Sequence, residues 1–312
     1  MTAPTPRHLV VAVNPAASFG SRRTTGDLVV RALEAAGHRV TRVLEPSMEQ
    51  LERRCRELLA DEPLDALVVV GGDGMVHLAA GLLAGTGVPL GVVPSGTGND
   101  FARGLGIPLG EPQQALDVLL EALGRPARTI DAGLIRFDGA APERWFAGVL
   151  SAGFDSAVNE RANALRWPRG RQRYNVAILI ELLRLRPRRY ALVVDGQPRS
   201  VEALLISVAN NTSFGGGMLI TPKALLDDGL LDLFIVAPMS RLSFLRIFPR
   251  VFAGTHVGDR HVSIERVHRV RLEADAVGYA DGERVGPLPL DVRVEPGALR
   301  VLAPPAPEPA GR

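Results

Sequence analysis

The sequence predicts two domains, an α/β nucleotide-binding domain built on a parallel sheet and a mainly antiparallel β-sandwich, and three observations carry that prediction. A chain of 312 residues exceeds the usual size of one hydrophobic core, and its 46% apolar content suffices for two. Strand-like and helix-like segments alternate as far as about Thr129, the rhythm of a parallel sheet covered on both faces. Beyond that point apolar strands follow one another between Asp-Gly and Pro-Gly turn signals, as antiparallel strands do. The expected division is 1–130, 131–303 and a proline-rich, disordered tail at 304–312, with the last strand free to return to the first domain.

Taken in order, His8 to Val13 is an apolar first strand entering a turn at Asn14-Pro15, and it is too short for a secretory signal. Helix 22–36, strand Arg39 to Leu44, helix 48–60, strand Ala66 to Val70, helix 75–84, strand Pro89 to Val93 and helix 112–123 follow. Residues 74–99 contain no Asp, Glu, Lys or Arg, but Gly81, Gly85, Gly87, Pro89, Gly91 and Pro94 interrupt them, so they read as helix, turn and buried strand rather than a membrane span. In the second half, strands are expected at Trp145 to Leu150, Tyr190 to Val194, Val201 to Val208, Leu230 to Val236, His268 to Glu273 and Leu290 to Glu295. The turns between them are Asp195-Gly196, Asp228-Gly229, Asp281-Gly282 and Pro296-Gly297, and helical insertions fall near 156–187 and 240–253.

Composition narrows the chemistry. Lys223 is the sole lysine and no Gly-Lys-Ser/Thr occurs, which excludes a Walker A site and any phosphate-binding lysine other than Lys223. The single Cys55 cannot form an internal disulfide and reads as a packing residue, so a reducing, cytoplasmic location is expected.

The chemistry concentrates in two glycine-dense turns, Gly71-Gly72-Asp73-Gly74 and Pro94-Ser95-Gly96-Thr97-Gly98-Asn99-Asp100, each after a short apolar strand. Glycine lacks a Cβ, so backbone N–H groups can converge on an anion at close range. Either turn alone is also an ordinary tight turn, since Gly and Asp suit turns for local backbone reasons. Two of them at the carboxyl ends of candidate parallel strands fall where open α/β sheets bind ligands. A carboxylate repels phosphate unless a cation stands between them, so the pair reads as a nucleoside triphosphate site with Mg²⁺, Asp73 and Asp100 lying on the metal side.

With Asp227-Asp228-Gly229-Leu230-Leu231-Asp232 and Ala280-Asp281-Gly282-Glu283 added in order, the chain resembles the diacylglycerol kinase catalytic family, in its soluble bacterial branch related to sphingosine and ceramide kinases. The resemblance runs from about His8 to Val301 and implies a lipid kinase: ATP-dependent phosphorylation of a lipid hydroxyl with Mg²⁺, diacylglycerol to phosphatidic acid leading. It implies that Gly71, Gly72, Asp73, Gly74, Met75, Val76 and His77, with Gly96, Thr97, Gly98, Asn99 and Asp100, line ATP. It places a metal at the carbonyls of Leu225 and Leu230 and the carboxylate of Asp228, with Asp131 linked to it through water, and the proton acceptor at Glu283. Expected partners are a lipid substrate at an anionic membrane surface, met peripherally at the inner face, and no nucleic acid; a homodimer is allowed. Met75, Val76, His77 and Leu78 depart from the family's usual polar residues, and the Asn14 to Gly20 segment lacks its common lysine, leaving phosphate charge to Arg22, Arg23 or other groups.

The residues leave two candidates for the general base, Glu283 and Asp281, and the resemblance to sphingosine kinases adds Asp73. In an extended segment Asp281 and Glu283 share a face, whereas across a hairpin turn they diverge. Arginines among apolar residues at 167–186 and 241–252 suit an anionic bilayer, but each stretch taken alone reads first as an amphipathic helix packed on the sandwich with its arginines in water. Competing functions are a kinase of another lipid (monoacylglycerol, ceramide, sphingoid base or an undecaprenol-like lipid), an NAD kinase-like enzyme, and a non-catalytic lipid-binding protein. The retained acids oppose the last, and the Pro94 to Asp100 and Ala280 to Glu283 segments oppose the second.

Overall fold

The computed structural model describes residues 5–14, 21–139, 141–165, 167 and 171–306, the side chains of 21–23, 171, 174 and 175 excepted. The turn expected from Pro15 to Gly20, the phosphate role expected of Arg22 and Arg23, and the end of the tail at 307–312 lie outside what is described. The chain divides into two compact units, Met1–Ala132 with Gly297–Arg312, and Gly133–Pro296.

In the first unit β1 (His8–Val13), β2 (Arg39–Val43), β3 (Ala66–Gly71) and β4 (Leu90–Pro94) form a parallel sheet in the order β2-β1-β3-β4. Val301 and Leu302, at the end of β16 (Leu290–Leu302), add to its far side parallel to β4. β1, β3 and β4 are buried along their whole length, which explains their unbroken apolar runs. The sheet is accompanied by α1 (Ser21–Ala35), α2 (Met48–Asp61), α3 (Asp73–Leu83), a short α4 (Asp100–Gly104) and α5 (Pro112–Leu123). α2 opens on Ser47, whose hydroxyl accepts the Gln50 N–H, and buries Leu51, Cys55 and Leu58. Burial pushes the Cys55 thiol up to about 11, as expected of an inert packing residue. α5 lies close on β4 because Gly91 has no side chain: a Cβ there would meet Leu119 at 2.8 Å.

The second unit is a β-sandwich. One sheet is β12 (Val262–Val267), β11 (Leu231–Val236), β10 (Leu205–Ala209), β7 (Val149–Gly153), β14 (Val277–Ala280) and β15 (Glu283–Pro287), antiparallel throughout. The other contains β9 (Gln197–Ala203), β8 (Arg188–Val194), β13 (Arg269–Glu273) and the first part of β16, with β5 (Arg128–Phe137) pairing β16 and β6 (Arg144–Phe146). Inward residues of both sheets, among them Phe146, Leu150, Tyr190, Leu192, Ile206, Leu233, Val270 and Leu290, make one core. On the outer face of the six-stranded sheet lie α6 (Phe154–Ala164), α7 (Arg171–Leu183) and α8 (Arg241–Val251), which build a second core around Phe154, Ala177, Leu182, Phe234 and Phe244. No helix among the described residues is long and apolar enough to cross a membrane.

Several expected strands divide where the chain passes from one sheet to the other. The run from Trp145 to Leu150 breaks at Ala147-Gly148, between β6 and β7, and the run from Val201 to Val208 breaks at Leu204, between β9 and β10. Conversely, Pro296-Gly297 is not a turn: β16 continues through it, with Gly297 at a φ of +66°. β5, β12, β14 and β15 have no counterpart among the expected strands, although the turn expected at Asp281-Gly282 does join β14 to β15, and the helical insertion at 156–187 is two helices.

Asp155, in the first turn of α6, is 9% exposed, and burial raises its pKa to about 6, the neighbouring Ser151 hydroxyl acting in the opposite direction. A carboxyl raised in the folded state penalises folding once it must ionise, so its penalty is absent below about 4 and develops as pH rises through about 6. Asp155→Asn is expected to raise stability at pH 7.5 by about 2–3 kcal/mol and to remove the part of the pH dependence between 4 and 6 that belongs to this group. Urea titrations of both proteins at pH 5 and 7.5 check this; equal pH dependence in the two would contradict it.

Candidate active site

The two glycine turns predicted from sequence meet in the first unit. β3 and β4 are paired in register with Gly71 opposite Pro94, and the Ser95 N–H donates to the Gly71 carbonyl at 2.9 Å. The turns then touch backbone to backbone: a Cβ on Gly96 would lie 2.5 Å from the Gly72 Cα, and one on Gly72 would lie 3.0 Å from the Gly96 Cα. Gly71 is equally constrained, since a Cβ would meet the Met75 side chain at 2.3 Å.

Asp73 and Asp100 each open a helix directly after a glycine turn, α3 and α4, where a carboxylate suits the helix dipole. The Asp73 Oδ1 accepts the Phe101 N–H at 3.3 Å, which ties the start of α3 to the start of α4. Asp100 is buried, with the Arg103 guanidinium 3.7 Å away. Asn99 takes the left-handed conformation, φ +53°, and its side chain closes the turn reciprocally: Oδ1 accepts the Gly96 N–H at 3.0 Å and Nδ2 donates to the Gly96 carbonyl at 3.1 Å. Thr97 is left exposed at the tip. Met75 and Val76 face the core of this unit, and His77 is half-buried on α3. Asp131, on β5, is buried and accepts the Gly297 N–H at 2.8 Å.

In the second unit Asp281 and Glu283 are separated by a hairpin. Asp281, φ +50°, and Gly282, φ +86°, form the two-residue turn between β14 and β15, with Ala280 paired to Glu283 across it. The two acids therefore diverge. The Asp281 carboxylate accepts three backbone N–H groups, from Ala147, Gly148 and Val149, at 2.9, 2.9 and 3.0 Å. Glu283 is exposed, and its side chain has no hydrogen-bond or ion-pair partner among the described residues.

The loop expected to hold a metal precedes β11. Asp228 Oδ1 accepts the Leu230 N–H at 3.1 Å, while Oδ2 pairs with the Arg266 guanidinium, so this carboxylate is already charge-balanced. Leu225 is exposed and Leu230 half-buried. Asp232, on β11, is raised to about 6 by burial. Among the described residues no three His, Cys, Asp or Glu side chains cluster as metal ligands.

Residues that sequence reasoning missed surround these acids. Asn210 and Asn211 are buried just past β10 and hold the same Ala147-Gly148 segment from its carbonyl side, through N–H bonds to the Gly148 carbonyl at 2.8 and 3.2 Å and an Asn210 Nδ2 bond to the Ala147 carbonyl at 3.2 Å. The available signal was a pair of amides ending the apolar run from Leu204 to Ala209. Glu160, on α6, accepts from the Tyr279 hydroxyl at 2.6 Å and from Arg284 Nε at 2.8 Å, bracing the hairpin beside Glu283.

Comparison with known proteins decides the family. Residues 8–133 match the diacylglycerol kinase catalytic domain, and residues 148–303 match the YegS C-terminal NAD kinase beta sandwich-like domain. A protein named diacylglycerol kinase from Mycobacterium tuberculosis is 46% identical over 242 residues, 77% of each chain. The chain belongs to the diacylglycerol kinase family of lipid kinases. The kinase is also 28% identical over 266 residues to a diacylglycerol kinase of Bacillus subtilis, 84% of each chain, and 32% identical over 221 residues to a YegS-like lipid kinase of Chromohalobacter salexigens, 69% of this chain and 67% of that one. Its fold is shared with a solved diacylglycerol kinase from Bacillus anthracis at a TM-score of 0.70 and 20% identity, covering 96% of this chain and 98% of that one. A yeast NADH kinase complexed with NADH shares the fold at a TM-score of 0.53 and 12% identity, over 95% and 82% of the chains.

The contact of Gly72 with Gly96 yields a steric test. Gly96→Ala in the kinase must part the two turns, because the obstructing atoms are backbone and the Asn99 Oδ1, 2.8 Å from the new Cβ. A loss of about 1–3 kcal/mol of stability is expected, with activity falling further than stability. Gly81→Ala, which meets nothing within 4 Å, is the control. Thermal melting and phosphotransfer measured together decide it, and wild-type values for Gly96→Ala would contradict the role of the contact.

Proposed function

We propose that this kinase transfers the γ-phosphate of ATP to the hydroxyl of a membrane lipid, diacylglycerol first, to give phosphatidic acid. The observation that carries the proposal is the pair of interlocked glycine turns at the carboxyl ends of β3 and β4, each followed by an acid, in a chain 46% identical to a diacylglycerol kinase. Phosphoryl transfer asks a protein chiefly for positioning and charge neutralisation. The turns offer backbone N–H groups without obstructing side chains, and the exposed Thr97 hydroxyl adds a donor at the tip. Asp73 and Asp100, oxygen donors beside these turns, fit Mg²⁺, which when bound would supply the charge neutralisation that phosphates next to carboxylates require. At the Asp228 loop the half-exposed Arg266 guanidinium pairs with the carboxylate, so a cation held by Leu225, Asp228 and Leu230 would have to displace it. Glu283 accepts the proton of the lipid hydroxyl: it is exposed and its side chain is unengaged, whereas Asp281 is engaged by backbone N–H groups.

The lipid is met at an anionic membrane surface. α8 turns Leu242 and Leu245 outward, with Phe252 just beyond it, beside exposed Arg241 and Arg246 and with no acid in the helix; α7 exposes Leu179 and Leu183. Replacing Leu242 and Leu245 by glutamine should weaken binding to vesicles containing phosphatidylglycerol several-fold while transfer to a short-chain dispersed lipid survives. Equal losses on both substrates would assign these leucines to the fold.

Transfer from radiolabelled ATP to a panel of diacylglycerol, monoacylglycerol, ceramide, sphingoid base and an undecaprenol-like lipid tests the substrate directly. Diacylglycerol is expected to lead, and preference for another acceptor would reassign it. Asp73→Asn and Asp100→Asn are each expected to fold normally by circular dichroism and to lose about 10²-fold or more in kcat. Near-normal turnover in either would remove that acid from the site.

A further inference from the structure

Two hairpins of the sandwich share one construction. Asp195-Gly196 joins β8 to β9 and Asp281-Gly282 joins β14 to β15, each with both residues at positive φ, +46° and +84° in the first, +50° and +86° in the second. A two-residue turn of this kind needs only residues that tolerate positive φ, and asparagine or glycine would serve in place of aspartate. The carboxylates serve a further purpose. Asp195 accepts the N–H groups of His268 and Arg269, at 3.1 and 2.8 Å, on an exposed edge of the unit. Asp281 accepts those of Ala147, Gly148 and Val149, where the chain crosses from β6 to β7, and its own N–H returns a bond to the Val149 carbonyl at 3.0 Å.

The second construction is much more heavily restrained. Asn210 and Asn211 hold the carbonyls of Ala147 and Gly148, so the crossing segment is bonded on both its donor and acceptor sides. Gly148 admits no side chain, since a Cβ would lie 2.7 Å from the Asp281 Oδ1. Three residues after Asp281, Arg284 is braced by Glu160 through its Nε, and its carbonyl accepts from Arg144 Nη1 at 3.1 Å. Glu283 stands between these two restraints, its own side chain unpartnered.

We propose that Asp281, with Gly148 and Asn210, is a positioning assembly that fixes the backbone from which Glu283 reaches the lipid hydroxyl. Asp281 is thereby a positioning residue and takes no part in proton transfer. The inference rests on Glu283 being the base. A free carboxylate on a hairpin tip gains a defined reach only if its backbone is held, and a misplacement of about 1 Å in such a group costs on the order of 10²-fold in rate. Asparagine at position 281 would keep the turn, but its amide would set a donor against one of the three N–H groups.

The test uses Asp281→Asn, Gly148→Ala, Glu283→Gln and the double variant Asp281→Asn/Glu283→Gln in the full chain, with Asp195→Asn as the control hairpin. Initial rates with ATP and dispersed diacylglycerol are measured from pH 5 to 9, beside thermal melting. Asp281→Asn and Gly148→Ala are expected to lose about 10- to 100-fold in kcat with the KM for ATP within about twofold of wild type, and to keep the acid limb of the pH profile that Glu283→Gln abolishes. The double variant should be no slower than Glu283→Gln alone, because a displaced base that is already absent costs nothing more. Asp195→Asn should melt lower with kcat unchanged. Gly148→Ala keeps the proposal testable if Asp281→Asn does not fold, since it presses on the carboxylate without removing it. Wild-type kcat in a folded Asp281→Asn or Gly148→Ala, or additive losses in the double variant, would overturn the positioning role and leave Glu283 as base. An active Glu283→Gln would instead overturn the base assignment itself, and the positioning role with it.

Discussion

The contact between Gly72 and Gly96 is the constraint on which the candidate nucleotide site depends. Parallel register places the ends of β3 and β4 side by side, Gly71 against Pro94, and the two chains then turn away through glycines whose α-carbons face each other without intervening side chains. Everything beyond is set by that approach. Asn99 closes the second turn on Gly96, α4 starts at Asp100, and Asp73 accepts an N–H from the first turn of that helix, at Phe101. Two acids are thereby held beside two glycine turns, an arrangement suited to a polyanion accompanied by a cation.

The second unit solves a different problem. A sandwich built from one chain must pass repeatedly between its sheets, and each crossing exposes backbone that neither ladder satisfies. At Ala147-Gly148 the carboxylate of Asp281 and the amides of Asn210 and Asn211 take up those groups. The chemistry and the fold share residues there: the restraint that completes the crossing also immobilises the turn before Glu283. Charge follows the same economy of partners. Arg266 pairs with Asp228, the Tyr279 hydroxyl and then Arg284 lower the Glu160 carboxyl below its ordinary value, and among the described acids burial raises Asp155 and Asp232.

Much of the first unit was legible because its signals are local. A strand buried on both faces must be apolar throughout, and glycine-dense turns at the ends of such strands are visible as text, so His8 to Val13, Ala66 to Val70 and Pro89 to Val93 were recovered within a residue or so. The second unit was less legible. Trp145 to Leu150 and Val201 to Val208 read as single strands because apolar residues continue through Ala147-Gly148 and Leu204, where the chain changes sheet without changing composition. Pro296-Gly297 read as a turn because its residues favour one, and β16 overrides that preference by pairing through it.

The sequence by itself determined the order of the elements, the two glycine turns with their acids and the lipid kinase family, because each is written in residues adjacent along the chain. Tertiary structure alone decided how Asp281 and Glu283 differ. Both stand in one short motif and carry the same charge, but only the backbone of Ala147 to Val149, more than 130 residues away in sequence, engages one carboxylate and leaves the other free. Which acid is occupied depends on the N–H groups that packing brings to it, and no local pattern of residues encodes that.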